Sequence, residues 1–187
     1  MRSRSTTTKL IATALATSAL ALGATAPVAA AACPGANVVA EDASTAQMES
    51  ATLCLMNKQR TKRGLDPLRP QKQLRKASLV HTLDMITELL FSHDGSNGTD
   101  VTERIRKAGY LKGTSRWWVG ENIAYGYGET SKPAEIVKML MKSPGHRHNI
   151  LDKTFEDVGI TVEYGTPEKQ YRNEGATYTT DFGARRK

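Results

Sequence analysis

His93, Glu121 and His146 are the residues of this chain best placed to do chemistry. His93 sits in Ser92-His93-Asp94-Gly95-Ser96-Asn97-Gly98, a loop by composition, where an imidazole is free to reach into a cleft. His146 follows Pro144-Gly145, a turn that fixes where the next side chain points. Glu121 stands among small and apolar neighbours, between Gly120 and Asn122-Ile123, so its carboxylate is either paired or lines a pocket. Two imidazoles and a carboxylate can hold a divalent cation with positions left open. They can equally form a hydrogen-bonded network that holds no ion. The separations of 28 and then 25 residues match no chelate signature, so spacing alone selects neither reading.

The other candidates read as structural. His81 lies on an apolar helical face one turn before Met85, as a core-edge histidine would, and is expected outside any cluster formed by the other three. His148 points away from His146 if the segment is helical and beside it if extended. Trp117 and Trp118 are expected to pack rather than to stack on a ligand. No Ser-His-Asp or Cys-His nucleophile, glycine-rich phosphate loop or His-Glu-x-x-His pattern is present.

These residues need a scaffold, and the chain begins with an address rather than with one. Arg2, Arg4 and Lys9 precede an apolar run from Leu10 to Leu22, and small residues continue to Ala30-Ala31-Ala32. That order predicts a secretory signal peptide over 1–32, too short in its apolar part for a spanning helix. Nothing later is apolar enough to span a bilayer. Removing 1–32 leaves 23 basic and 19 acidic residues, a formal charge of +4. The basic residues are dispersed, which favours loose attraction to anionic wall polymers or lipid surfaces and gives no nucleic-acid stripe. Cys33 and Cys54, the two cysteines, suggest a disulfide in an exported protein. Lipid modification of Cys33 is the rival reading. It would leave Cys54 unpaired, and the three preceding alanines lack the leucine usual in such signals.

Residues 33–44 read as an irregular lead-in. Thr45–Arg63 is helical in pattern, with Met48, Thr52, Leu55 and Gln59 on one stripe and Ala51 and Met56 beside it. A second helix spans about 71–90, its face made of Leu74, Ala77, Ser78, His81, Met85 and Leu89. A short helix capped by Thr99 or Asp100 turns Val101, Ile105 and Ala108 inward. Glu121–Gly126 is extended. Ser131 caps the next helix, with Pro133 in its first turn and Ile136, Val137, Leu140 and Met141 inward. Val158, Ile160 and Val162 alternate as a strand, and Ala176–Phe182 pairs back. The class is α+β, helices on an antiparallel sheet in one domain.

Five segments in order then carry a resemblance: Phe91-Ser92-His93, Gly120-Glu121-Asn122-Ile123-Ala124, Ser143-Pro144-Gly145-His146-Arg147-His148-Asn149-Ile150-Leu151, Val158-Gly159-Ile160 and Tyr178-Thr179-Thr180-Asp181-Phe182-Gly183. Together they resemble the CAP superfamily of SCP-like extracellular proteins (cysteine-rich secretory protein, antigen 5, pathogenesis-related 1), in its bacterial secreted branch. The resemblance implies a three-layer α/β/α sandwich over 45–185 and a cleft in which His93, Glu121 and His146 take three positions. It also implies a divalent ion such as zinc held there. The fourth cleft acid of eukaryotic members is missing, because the stretch before His146 reads Leu140-Met141-Lys142-Ser143. The function expected is a secreted binding module for lipid, sterol or cell-wall polymer. The alternative is a metal-assisted hydrolase with Glu121 as ligand or base.

Overall fold

The computed structural model describes residues 32–187, so all but the last residue of the expected signal segment lies outside it. Helix α1 (Thr45–Thr61) opens at Ser44, whose side chain accepts from the Gln47 backbone N–H. A two-residue strand, β1 (Arg69–Pro70), precedes α2 (Lys72–Glu88), which ends at Leu89 in the left-handed region. Helix α3 (Val101–Lys107) is capped by Asp100, and β2 covers Arg116–Gly126. Helices α4 (Pro133–Lys142) and α5 (Pro144–Leu151) each take a proline in the first turn. Strands β3 (Asp157–Tyr164) and β4 (Ala176–Arg186) complete the set. Among the described residues no helix is long and apolar enough to cross a membrane.

The sheet order is β1-β3-β4-β2, antiparallel except for the short parallel pair of β1 with β3. Helix α2 packs on β3 and β4 with α3 beside it, while α1, α4 and α5 cover the other face. The result is the expected three-layer sandwich, with the parallel edge strand as an addition. A large apolar core lies on the α1 side, where Met48, Met56, Leu140, Ile150, Tyr178 and Phe182 meet. On the α2 side the layers come closest at Gly159, where a Cβ would lie 2.0 Å from the Arg75 backbone nitrogen. Only glycine allows that approach.

Cys33 and Cys54 form a disulfide that ties the lead-in to α1. The 21-residue separation corresponds to about 3 kcal/mol in the chain-entropy model.

Several details depart from the sequence reading. The α1 stripe is Met48, Thr52, Met56 and Arg60, and Leu55 and Gln59 are only half-buried. Arg60 belongs inside because its guanidinium donates to the carbonyls of Asp66, Ile150, Asp152 and Phe155, at 2.7 to 3.0 Å. Leu89 turns outward with the left-handed cap. Ser131 does not cap α4; Lys132 holds that position, and the Ser131 hydroxyl instead accepts from the Ala40 N–H and donates to the Gly128 carbonyl. Trp117 and Trp118, expected to pack, are 39% and 43% exposed.

Candidate functional site

Strand β2 forms one edge of the sheet, so side chains from both helical layers can meet around it. Adjacent residues on a strand face opposite sides. Glu121 faces α2 and α3, while Asn122 faces α5.

On the first side, Glu121 is buried with both carboxylate oxygens engaged. Oε1 accepts from His93 Nδ1 at 2.8 Å, and Oε2 accepts from Arg104 Nη2 at 2.7 Å. Arg104 also donates to the carbonyls of Thr99 and His93, so one buried guanidinium holds both the loop after α2 and the carboxylate. His81 is fully buried. Its Nε2 lies 2.9 Å from the Ser92 carbonyl oxygen and 3.8 Å from Glu121 Oε1. His81 is structural, as expected, but it borders the cluster instead of lying outside it.

On the second side, Asn122 Nδ2 donates to the His146 carbonyl at 3.0 Å. Asn149 Nδ2 donates to the Glu121 carbonyl and to Asn122 Oδ1. Two amides thus pin α5 to β2 at His146 and Asn149, and His146 lies near enough to His93 to feel its charge. His148 points elsewhere, 3.7 Å from Asp152 and largely exposed, as the helical alternative requires.

The electrostatics follow from this packing. The hydrogen bond to Glu121 raises the His93 pKa above its ordinary value, against the opposing effect of burial. Burial works against ionising Glu121, but the His93 bond and the His81 and Arg104 charges outweigh it and hold the carboxyl below its usual range. Burial, and then the nearness of His93, lower His146. Burial lowers His81 too. Directly across the strand pair from Glu121 stands Asp181, fully buried and without a donor. Burial and the Glu121 charge push it well above the carboxylate range, so it can bond to its neighbour only when protonated.

A divalent ion fits the imidazoles better than the carboxylate. With Nδ1 of His93 engaged by Glu121, Nε2 is the nitrogen left for a ligand, on a side chain 55% exposed. Histidines that ligate a metal commonly donate their other ring N–H to a carboxylate in the same way. Among the described residues no three His, Cys, Asp or Glu side chains form a metal cage.

Arg104, Asn122, Asn149 and Asp181 escaped the sequence reading as site residues. Arg104 had a signal, since it shares the inward stripe of α3 with Val101, Ile105 and Ala108.

The model of the cysteine-rich secretory protein (CAP) family matches residues 53–180. The chain belongs to the CAP family. An uncharacterized Bacillus subtilis protein, YkwD, is 33% identical over 124 residues, which are 66% of this chain and 46% of the relative. The CAP chain therefore spans about half the length of the curated relative it matches. An extracellular SCP-domain protein from Bacillus anthracis aligns with a TM-score of 0.55 at 23% identity, covering 74% of this chain and 39% of its own. An outer surface protein of Borrelia burgdorferi aligns at 0.62 and 18% identity, covering 77% and 97%. At these identities the structural likeness shows the CAP fold.

Proposed function

We propose that this chain is an exported binding module whose His93 and His146 imidazoles hold a divalent cation such as zinc. Export is supported by the basic, apolar and small-residue order of 1–32 and by relatives described as extracellular or outer-surface proteins. The observation that carries the metal reading is the His93–Glu121 bond on a carboxylate already fixed by Arg104. Glu121 then orients His93 instead of serving as a third ligand. His146, lowered by burial and by His93, is neutral and able to coordinate at physiological pH. The bound ion would supply open coordination positions for a lipid, sterol or wall-polymer oxygen. The hydrolase alternative asks Glu121 to accept a proton, yet the His93 and Arg104 contacts lower its basicity and occupy both of its oxygens.

Calorimetric zinc titration of residues 33–187, which hold the whole sheet, every described helix and the disulfide, tests the reading. Wild type is expected to bind near neutral pH. Because the His93 pKa is raised, proton competition sets in at a higher pH than for a free imidazole. His93→Ala and His146→Ala are expected to abolish the heat, and Glu121→Gln to weaken binding by about 10- to 100-fold. His148→Ala changes little. No zinc heat in wild type, or damage from His148→Ala, sinks the assignment.

A further inference from the structure

Strands β2 and β4 run on past the rest of the sheet. Strand β3 begins at Asp157, opposite Gly183, so Arg116–Trp118 and Ala184–Arg186 pair only with each other. They form a two-stranded ribbon at one end of the molecule. Successive residues face opposite sides, so Trp117 and Trp118 present one indole on each face. Their register partners are Arg185 and Ala184. An indole normally buries most of its large apolar area. Here two adjacent ones stay 39% and 43% exposed although an apolar core lies within the same sheet.

Cations surround them. Arg185 lies over the Tyr110 ring, 4.4 Å from its centroid, and Arg186 pairs with Glu156 at 2.6 Å. Arg116 and Lys187 are exposed and make no ion pair among the described residues. The acids of this end are already engaged: Glu156 by Arg69 and Arg186, and Asp157 by Arg69 and the Tyr110 hydroxyl. The ribbon therefore offers free positive charge beside two half-exposed indoles.

We propose that the ribbon tip docks on an anionic lipid surface. Indoles settle at the boundary between headgroups and acyl chains, where an apolar ring with a polar N–H is most stable. Basic side chains at the same depth meet the negative headgroups. A ribbon entering tip-first carries both faces into the layer, which accounts for an exposed indole on each. A dissolved polyanion would engage the cations and leave the indoles in water. This inference does not depend on the metal reading of the cleft.

Trp117 and Trp118 are the only tryptophans in the chain, so indole emission reports on this tip alone. The experiment adds vesicles of phosphatidylglycerol with phosphatidylcholine, or of phosphatidylcholine alone, to residues 33–187, and reads emission and co-sedimentation. Anionic vesicles are expected to shift emission to the blue, and brominated acyl chains to quench it. Neutral vesicles and added salt are expected to weaken both signals. Trp117→Ser with Trp118→Ser should lower vesicle affinity at least about tenfold. Arg116→Ala with Lys187→Ala, which leaves the indoles intact, should lower it about fivefold per cation. The proposal is overturned if anionic vesicles do not bind the protein, or bind it without moving or quenching the emission. It is also overturned if soluble polyglycerol phosphate abolishes vesicle binding while the double tryptophan variant binds as wild type does.

Discussion

The two faces of the sheet are built on different principles. Toward α1, α4 and α5, the side chains of Val158, Ile160, Val162, Tyr178 and Phe182 merge into one apolar core with Met48, Met56 and Leu140. Toward α2, the same strands present Gly159, Thr161, Thr177, Thr179 and Asp181, all of them fully or nearly fully enclosed. Ser78 bonds to Thr161 at 2.7 Å, and the Thr82 and Thr179 hydroxyls bond to each other at 2.8 Å. The first face is held by area removed from water, which depends little on direction. The second is held by hydrogen-bonded polar pairs, Asp181 excepted, and losing one partner strands the other. Glu121 belongs to the second face, so the candidate site is one end of a buried polar seam in which Asp181 alone of these strand residues lacks a donor. Arg60 reverses the pattern, as a polar clamp at the border of the apolar side.

That contrast can be broken or sharpened by substitution. The largest effect is expected from Arg60→Ala, which leaves four carbonyls without their donor and loosens the end of α5. A loss of about 4 kcal/mol is expected in urea unfolding. Arg60→Met, which keeps the stem, should recover little. Full recovery would mean that volume, not hydrogen bonding, holds this corner.

Arg104→Ala comes next, at about 3 kcal/mol, because it takes from a buried carboxylate the permanently charged one of its two partners. It also removes a positive charge that opposes His93 protonation, so the His93 titration followed by NMR should move upward. A downward move would contradict the arrangement of the three groups.

Asp181→Asn should have a smaller effect, and of opposite sign. Asp181 has a folded-state pKa raised by burial and by Glu121. Its stabilising contribution is complete below the unfolded value of about 3.9 and is lost as pH rises toward the folded value. The amide is free of that loss, so the variant should gain about 1 kcal/mol at neutral pH and nothing in acid. A gain that is the same at every pH would count against the charge argument.

Thr179→Val should matter least, within about 1 kcal/mol, because Thr82 retains the Ser78 carbonyl as acceptor. A loss as large as that of Arg60→Ala would show that the seam acts as one cooperative network.

Much of this architecture is legible in the sequence. The 3.6-residue periodicity of α2, a cap at Thr99 or Asp100, the alternation of Val158, Ile160 and Val162 and the five ordered segments lead to the layers and to three candidate site residues. What escaped was hidden by default expectations about polarity. Arginines are expected outside, which masks Arg60 and Arg104 although each continues an inward stripe. Thr177, Thr179 and Asp181 alternate with apolar neighbours as a wet strand face would, and only the close approach of α2 at Gly159 makes that face interior. Strand β1 has two residues and no pattern to read. The apolar face of α2 marks His81 as structural, but its contact with Glu121 depends on the packing of α2 on the sheet that holds β2, which no local spacing encodes.

The strand order has a consequence for how the chain comes into being. Strand β4, the last of the described elements, lies between β3 and β2, and those two touch it rather than each other. A chain emerging from the ribosome, or threading N-terminus first through a membrane channel, has no sheet to close until residues 176–186 are free. Until then Glu121 lacks Asp181 opposite it, and the apolar side chains of β3 have no Phe182 to meet. Late completion delays closure of the sheet until the last strand arrives. It leaves the apolar residues of α1 and α4 uncovered for the same interval, so the speed with which β4 docks decides between folding and aggregation.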